Sequence, residues 1–249
     1  MDVIAIDNQI NEILNGTRDL YGFNQHEHAG ICTAGPSFIG ALIVCNNARE
    51  SLAAGTDASA GQAASPSNWV IDEAQERAVQ EWAEAKGIWV PNAEDLLEKN
   101  YGPEIAQGAE SKVYYRTGDS SVVKLRTSIY ATFGRALESI ALHNFFFPET
   151  MMRVTGFTRT QDGLFRTILT QPYIECKRPA TKAEISEMIY SFDLGFSVKD
   201  DGNQVNFQSE RYHLEDMHPA NVFIDNLSGR PLCIDCIVKF KFVTSTKSH

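Results

Sequence analysis

Apolar positions recur at helical spacing in some stretches of the chain and at strand spacing in others. From Val70 to Lys86, Ala74, Ala78, Trp82 and Ala85 fall on one stripe. Ser67 or Asn68 stands where an N-cap belongs, and Gly87 where a helix would stop. This spacing predicts a connecting helix. Ser128 to Asn144 carries Ile129, Phe133, Leu137, Ile140 and Ala141 at the same period, which predicts a helix packing back on the strands before it. Thr181-Lys182-Ala183-Glu184 is a capping-box sequence ahead of Ile185, Met188, Ile189 and Phe192, with Gly195 at the expected end.

Strand-like runs fill most of the remaining carboxyl-terminal two thirds. Val113 to Arg116 and Ser121 to Arg126 flank Thr117-Gly118-Asp119-Ser120, a turn composition that predicts an antiparallel hairpin. Further strands are expected at Met152 to Arg159, Leu164 to Leu169 and Gln171 to Ile174. From Phe196 to Phe242 short strands should alternate with turns, among them Asp200 to Asn203 and Asn226 to Gly229. Ile88 to Pro91 reads as a short extended piece, after which Asn92 or Asp95 opens a brief turn toward Asn100. Periodicity leaves helix against strand open over Ala29 to Glu50. Ser51 to Ser67, rich in Ala, Gly and Ser, reads as a linker or mobile loop. Residues 1–67 are therefore taken as an amino-terminal accessory segment with its linker, and residues 68–100 as the connecting helix and extended piece.

A chain of 249 residues, 43% hydrophobic and 22% charged, is too large for a stapled mini-protein and too apolar for a disordered one. Its 32 acidic against 22 basic side chains give a net charge of -10, which argues against nucleic acid or anionic membrane as a partner. Met1 to Leu14 has no basic leader before an apolar run. The best apolar run, Phe38 to Cys45, falls well short of the ~20 residues a spanning helix needs. Five cysteines form no paired framework, so a reducing, cytoplasmic setting is expected. The mixture of helices and antiparallel strands predicts an α+β fold.

Chemistry concentrates in Asp216-Met217-His218-Pro219-Ala220-Asn221, an acid five positions before an amide, followed by an apolar run. A loop of this length can bend back so that both side chains point into one cleft, the acid to orient a hydroxyl and the amide to bind a cation. Asp235 ends the next expected strand, Pro231 to Ile234, and a hairpin would bring it beside Asn221. Two hard oxygen ligands suit Mg2+ carrying phosphates better than zinc. Upstream, Lys124 ends Val122-Val123-Lys124 and Glu138 sits mid-helix, where a strand lysine and a helix glutamate can pair; Glu149 competes for that role. Gly108 to Tyr114 is a turn into a strand that could lie over phosphates through backbone N–H groups.

In this order the pieces resemble the protein kinase signature set over about Ala106 to Ile237. Trp82-Ala83 with Gly87-Ile88-Trp89, Gly108 to Tyr114, Asn144 to Pro148, Gln171 to Ile174 and Asp216 to Val222 look more closely like the kinase domains in polyvalent proteins of bacterial mobile elements and phages. The His-Pro in the loop is also similar to aminoglycoside and choline phosphotransferases. The resemblance implies a two-lobed kinase-like fold, with an N-lobe at 101–174 and a minimal, truncated C-lobe at 175–249, and ATP between them. It implies Asp216, Lys124 and Glu138 as catalytic residues. Gly108, Ala109, Glu110, Ser111, Val113, Lys124, Gln171 and Tyr173 would bind the nucleotide, and Asn221 and Asp235 would hold Mg2+.

Departures accompany the resemblance. Leu214-Glu215 precede Asp216 where the family has His-Arg, with His213 one place out of register, and Cys236-Ile237 follow Asp235 in place of Phe-Gly. Only fourteen residues follow Asp235, so the helical platform for peptide substrates is missing. The acceptor, protein or small molecule, is unspecified. A degenerate pseudokinase acting as a nucleotide-binding or interaction module is the rival reading, and a partner chain completing the short C-lobe is a third. Elsewhere, Cys233 and Cys236 read as buried cysteines and His26-Glu27-His28 as a solvated loop. Trp69, Trp82 and Trp89 read as staples of the connecting helix, Phe145 to Phe147 as core, and His218 either contacts phosphate or supports its loop.

Overall fold

The computed structural model describes residues 3–18, 20–57, 66–108, 110–200 and 205–241. Ala109, most of the Asp200 to Asn203 turn and residues 58–65 of the expected linker lie outside the described residues. The chain divides into two compact units, Met1–Phe145 with Met151–Tyr173, and Phe146–Thr150 with Ile174–His249. Helix and antiparallel sheet are mixed, as an α+β fold requires. Among the described residues, no helix is long and apolar enough to cross a membrane.

The first unit opens with helices α1 (Val3–Leu14), α2 (His28–Thr33) and α3 (Pro36–Asp57). Helix wins over strand in the ambiguous Ala29 to Glu50 stretch, and the ambiguity has a cause. Phe38, Ile39, Leu42, Ile43, Val44 and Cys45 are all buried, so the helix is apolar on every side there and shows no periodic stripe. α3 also runs through Ser51 to Asp57, where a linker was expected, because alanines sustain a helix that needs no core contact. Small residues let these helices approach their neighbours: a Cβ on Gly30 would lie 2.0 Å from the Ala141 carbonyl oxygen, and one on Gly40 would lie 2.1 Å from the Trp82 ring. His26-Glu27-His28 is not a solvated loop. Glu27 and His28 are buried, and the Glu27 carboxylate accepts the Asn24 N–H at 2.7 Å, closing the turn before α2.

Helix α4 (Asn68–Lys86) follows the expected connecting helix closely and ends at Gly87, whose φ of 70° is the left-handed turn that glycine permits. Trp82 packs edge-on to Phe157, and Trp89 packs against Phe165, whereas Trp69 is 69% exposed and staples nothing. The brief turn expected after Asn92 is a helix, α5 (Ala93–Tyr101). A five-stranded antiparallel sheet follows, in the order β1-β2-β3-β5-β4: β1 (Ala106–Gln107), β2 (Ser111–Tyr114), β3 (Ser121–Thr127), β4 (Arg153–Arg159) and β5 (Phe165–Pro172). The two strands expected over Leu164 to Ile174 are one. β3 pairs continuously with β5 through Val123–Thr170, Val122–Gln171 and Ser121–Pro172, so Thr170 and Gln171 do not interrupt it. One face, with Tyr114, Val123, Leu125 and Ile168, packs on Ala93 and Leu97 of α5.

Helix α6 (Phe133–Phe146) starts later than its periodicity suggests, and Ile129 is exposed ahead of it. Its first turn is capped from α4: the Phe133 N–H donates to Asp72 Oδ1 at 2.6 Å and the Gly134 N–H to Gln75 Oε1 at 2.8 Å. These donors cannot be met inside the helix, and long-range caps fix where it begins.

The second unit holds two small antiparallel sheets. The elements are β6 (Cys176–Pro179), α7 (Lys182–Tyr190), β7 (Ser197–Asp200), β8 (Val205–Gln208), β9 (Tyr212–Glu215), β10 (Val222–Asp225), β11 (Pro231–Cys233) and β12 (Ile237–Phe240). They assemble as β11-β10-β6 and β12-β9-β8-β7. The capping box forms in full at Thr181 and Glu184. α7 nevertheless ends at Tyr190, before Gly195, because Ser191 caps it while Asp193 turns left-handed at φ 54°. Phe146 packs among Phe192, Phe196 and Tyr212, and the adjacent Phe147 packs on Phe192, so these two rings are core.

Candidate functional site

The loop between β9 and β10 carries the Asp216 to Asn221 motif. Asp216 sits at φ 63°, a left-handed conformation that Asp tolerates better than most non-glycine residues and that partners can help to hold. Asn206 on β8 does so from a distance, its Oδ1 accepting the Asp216 N–H at 3.1 Å. Within the loop, the His218 N–H donates to the Asp216 carbonyl at 3.0 Å and the Asn221 N–H to the His218 carbonyl at 2.8 Å. The chain thus turns back on itself, and Asn221 Nδ2 reaches both Asp216 Oδ2 at 2.9 Å and the Asp216 carbonyl at 3.0 Å.

His218 completes this knot. Its Nδ1 accepts the Ala220 N–H at 3.2 Å, and its Nε2 lies 3.2 Å from both Asp216 Oδ1 and Asn221 Nδ2. Asp216 is therefore braced through both carboxylate oxygens yet remains partly exposed. Since Asn221 spends its amide nitrogen on Asp216, its Oδ1 is the atom that could face a cation.

Asn221 leads directly into the β10–β11 hairpin, in which Val222 pairs with Cys233 and the Ile234 N–H donates to the Asn221 carbonyl at 2.8 Å. Asp235 is the next residue along, its carbonyl accepting from the Cys233 thiol at 3.1 Å. Cys233 and Cys236 are both buried. A pocket of about 310 Å³ opens beside the loop, lined among others by Lys199, Asn206, His213, Glu215 and Asp216. Glu215 is held by Lys239 at 2.7 Å. Burial, followed by Lys241, lowers the His213 pKa below the ordinary imidazole value; Lys199 and Lys239 act in the same direction and Glu215 opposes them.

In the first unit, strand register puts four of the nucleotide candidates on one face of the sheet, away from α5. Val113 lies opposite Lys124, and Ser111 and Gln171 sit on the same side through Arg126 and Val122. Lys124 and Gln171 are buried. Glu138, also buried, accepts a hydrogen bond from Arg135 one turn before it. In the turn between β1 and β2, the Gly108 N–H donates to the Ser111 carbonyl at 2.9 Å. Glu110 pairs with the buried Arg126 at 3.1 Å, so these groups serve strand pairing as well as any ligand. Tyr173 stacks on Tyr115 with ring centroids 4.2 Å apart, and its N–H donates to the Ser120 carbonyl at 3.0 Å.

Sequence reasoning missed Asn206 and the left-handed Asp216. No local signal ties a β8 amide to a residue ten positions on, since a polar residue between Val205 and Phe207 is what strand alternation gives anyway.

The sequence was also compared with known proteins. No curated protein and no solved structure matches it. A family described as a serine/threonine/tyrosine kinase found in polyvalent proteins matches residues 72–242, a span that takes in α4 from Asp72 onward, the five-stranded sheet, α6 and the whole Asp216 loop. With well over half its length matched, the chain belongs to this polyvalent-protein kinase family.

Proposed function

We propose that the protein is an ATP- and Mg2+-dependent phosphotransferase of kinase type, acting in the cytoplasm, with a two-lobed kinase-like architecture and a shortened C-lobe. The observation that carries this reading is the convergence of Asn221 and His218 on the two oxygens of one partly exposed carboxylate, Asp216, in the loop that the family match covers. Asp216 faces the acceptor hydroxyl. As the acceptor oxygen bonds to the γ-phosphorus and the bond to ADP breaks, the hydroxyl proton passes to the Asp216 carboxylate. His218 and Asn221 keep that carboxylate aimed.

The donor set fits the implied groups: an amide oxygen at Asn221 and a carboxylate at Asp235 are hard ligands, and Lys124 is a strand cation desolvated by burial. Mg2+, when bound, neutralises charge on the phosphates. Lys124 serves the nucleotide phosphates, with Glu138 orienting it, and Ser111, Val113 and Gln171 share its face of the sheet. Gly108, Glu110 and Tyr173 border that face.

A second reading, a nucleotide-binding pseudokinase, is favoured by Leu214 and Glu215 lying within β9 instead of the loop. Thermal shift with ATP, with and without Mg2+, and γ-phosphate transfer separate the two when the parent is compared with Asp216→Ala and Asp235→Ala. Transfer abolished by both substitutions supports the enzyme. Stabilisation without transfer selects the pseudokinase, and no effect of nucleotide on melting overturns both.

A further inference from the structure

The first turn of α6 rests on a buried polar node that draws in residues from before the family-matched span. Gln75 on α4 is the centre of it. Its Nε2 donates to the Tyr21 hydroxyl and to the Cys45 carbonyl, each at 3.0 Å, while its Oε1 accepts the Gly134 N–H at 2.8 Å. Tyr21, buried and at φ 52°, holds a left-handed conformation that is rare for an aromatic residue. It lies hard against the same turn: a Cβ on Gly134 would stand 2.3 Å from its hydroxyl oxygen. The Tyr21 ring carries two guanidinium groups, Arg49 at 4.5 Å and Arg135 at 5.9 Å from its centroid, both within the ~6 Å over which a ring face attracts a cation. Arg135 in turn donates to Oε2 of the buried Glu138, one turn further along α6. The last torsion of a glutamate is soft, so fixing Oε2 fixes the direction of the whole carboxylate.

Resting on the phosphotransferase reading, in which Glu138 orients Lys124, we propose that Tyr21 is a positioning residue for that reaction. Gln75 holds Tyr21 in place, the ring braces Arg135, and Arg135 keeps the Glu138 carboxylate aimed. Tyr21 itself touches no reacting atom. It precedes the span 72–242 that the family shares, so this brace is supplied by the chain's own amino-terminal segment.

The test uses the full chain with Tyr21→Leu, which removes ring and hydroxyl, Tyr21→Phe, which keeps the ring, and Arg135→Gln at a partly exposed position. Melting curves verify each fold. Without nucleotide, the Glu138 carboxyl carbon resonance should move in Tyr21→Leu and Arg135→Gln and stay with the parent in Tyr21→Phe. In γ-phosphate transfer, Tyr21→Leu and Arg135→Gln should each lower kcat about tenfold, and Tyr21→Phe should stay within threefold. The two combined should lose no more than Arg135→Gln alone, because Tyr21 acts through Arg135. A Glu138 resonance indifferent to Tyr21→Leu, or a combined loss near a hundredfold, overturns the proposal by leaving Tyr21 a packing role only. Where Tyr21→Leu does not fold, a Glu138 resonance and kcat unchanged in Arg135→Gln overturn it equally. If the parent transfers no phosphate while the Glu138 signal responds as expected, the brace is upheld and the phosphotransfer reading is what fails.

Discussion

Two turns in this molecule lead into strands and carry candidate chemistry, and they are built in opposite ways. In the turn between β1 and β2, the Gly108 N–H pairs with Ser111, the Glu110 carbonyl accepts from Thr127 at 2.7 Å, and the Glu110 carboxylate neutralises Arg126. These groups stabilise the sheet, and folding explains them. In the turn between β9 and β10, the restraints converge on the side chain of one residue in an unfavourable backbone conformation, and that side chain remains partly exposed. The contrast teaches where to look for function: in the turn whose bonds stabilise an awkward side chain, more than in the one whose bonds stabilise strands.

The largest expected effect sharpens this contrast. Asp216→Asn should lower phosphate transfer on the order of 10²–10⁴-fold, the usual worth of a general base, while costing about 1 kcal/mol of stability through the altered contact with Asn221. Transfer assays paired with urea denaturation measure both. Next, Glu110→Ala leaves the buried Arg126 without this partner and should cost about 3 kcal/mol in denaturant unfolding. A variant that kept its stability yet lost ATP affinity would break the comparison by making the first turn functional. Smaller still, Asp216→Gly removes the left-handed strain and should offset its lost hydrogen bonds, leaving stability within about 1 kcal/mol of the parent although transfer is abolished.

The smallest effect lies at α7. Arg178, followed by the capping N–H of Thr181, lowers the Glu184 carboxyl from its ordinary 4.5 to about 2. A depressed carboxyl contributes stability that is present above its unfolded value and lost as pH falls through its folded value. The α7 tie should therefore hold at pH 4.5 and fade toward pH 2, which a carboxyl-resolved NMR titration of Glu184 would follow.

What the sequence made legible was local. The capping box at Thr181 could be read to the residue because both its partners lie within four positions. The bend of the Asp216 loop likewise follows from spacing. Features that depend on distant partners were not legible. α6 begins at Phe133 because Asp72 and Gln75 cap it, and β5 continues through Gln171 because β3 pairs with it. Asp216 is left-handed with Asn206 bonded to its N–H. Periodicity failed over α3 for the converse reason, since a helix buried on all sides has no polar stripe to reveal its period.

The amino-terminal helices bear on how this polypeptide can be cut. Gly40 receives the Trp82 ring, and the Ala34 carbonyl accepts the Val154 N–H of β4 at 3.0 Å, so helices preceding the family-matched span complete the packing of that span. A fragment trimmed to residues 72–242 would bare an indole and orphan a backbone amide. The heritable module and the folding module are thus of different lengths, and the longer one is the piece to express.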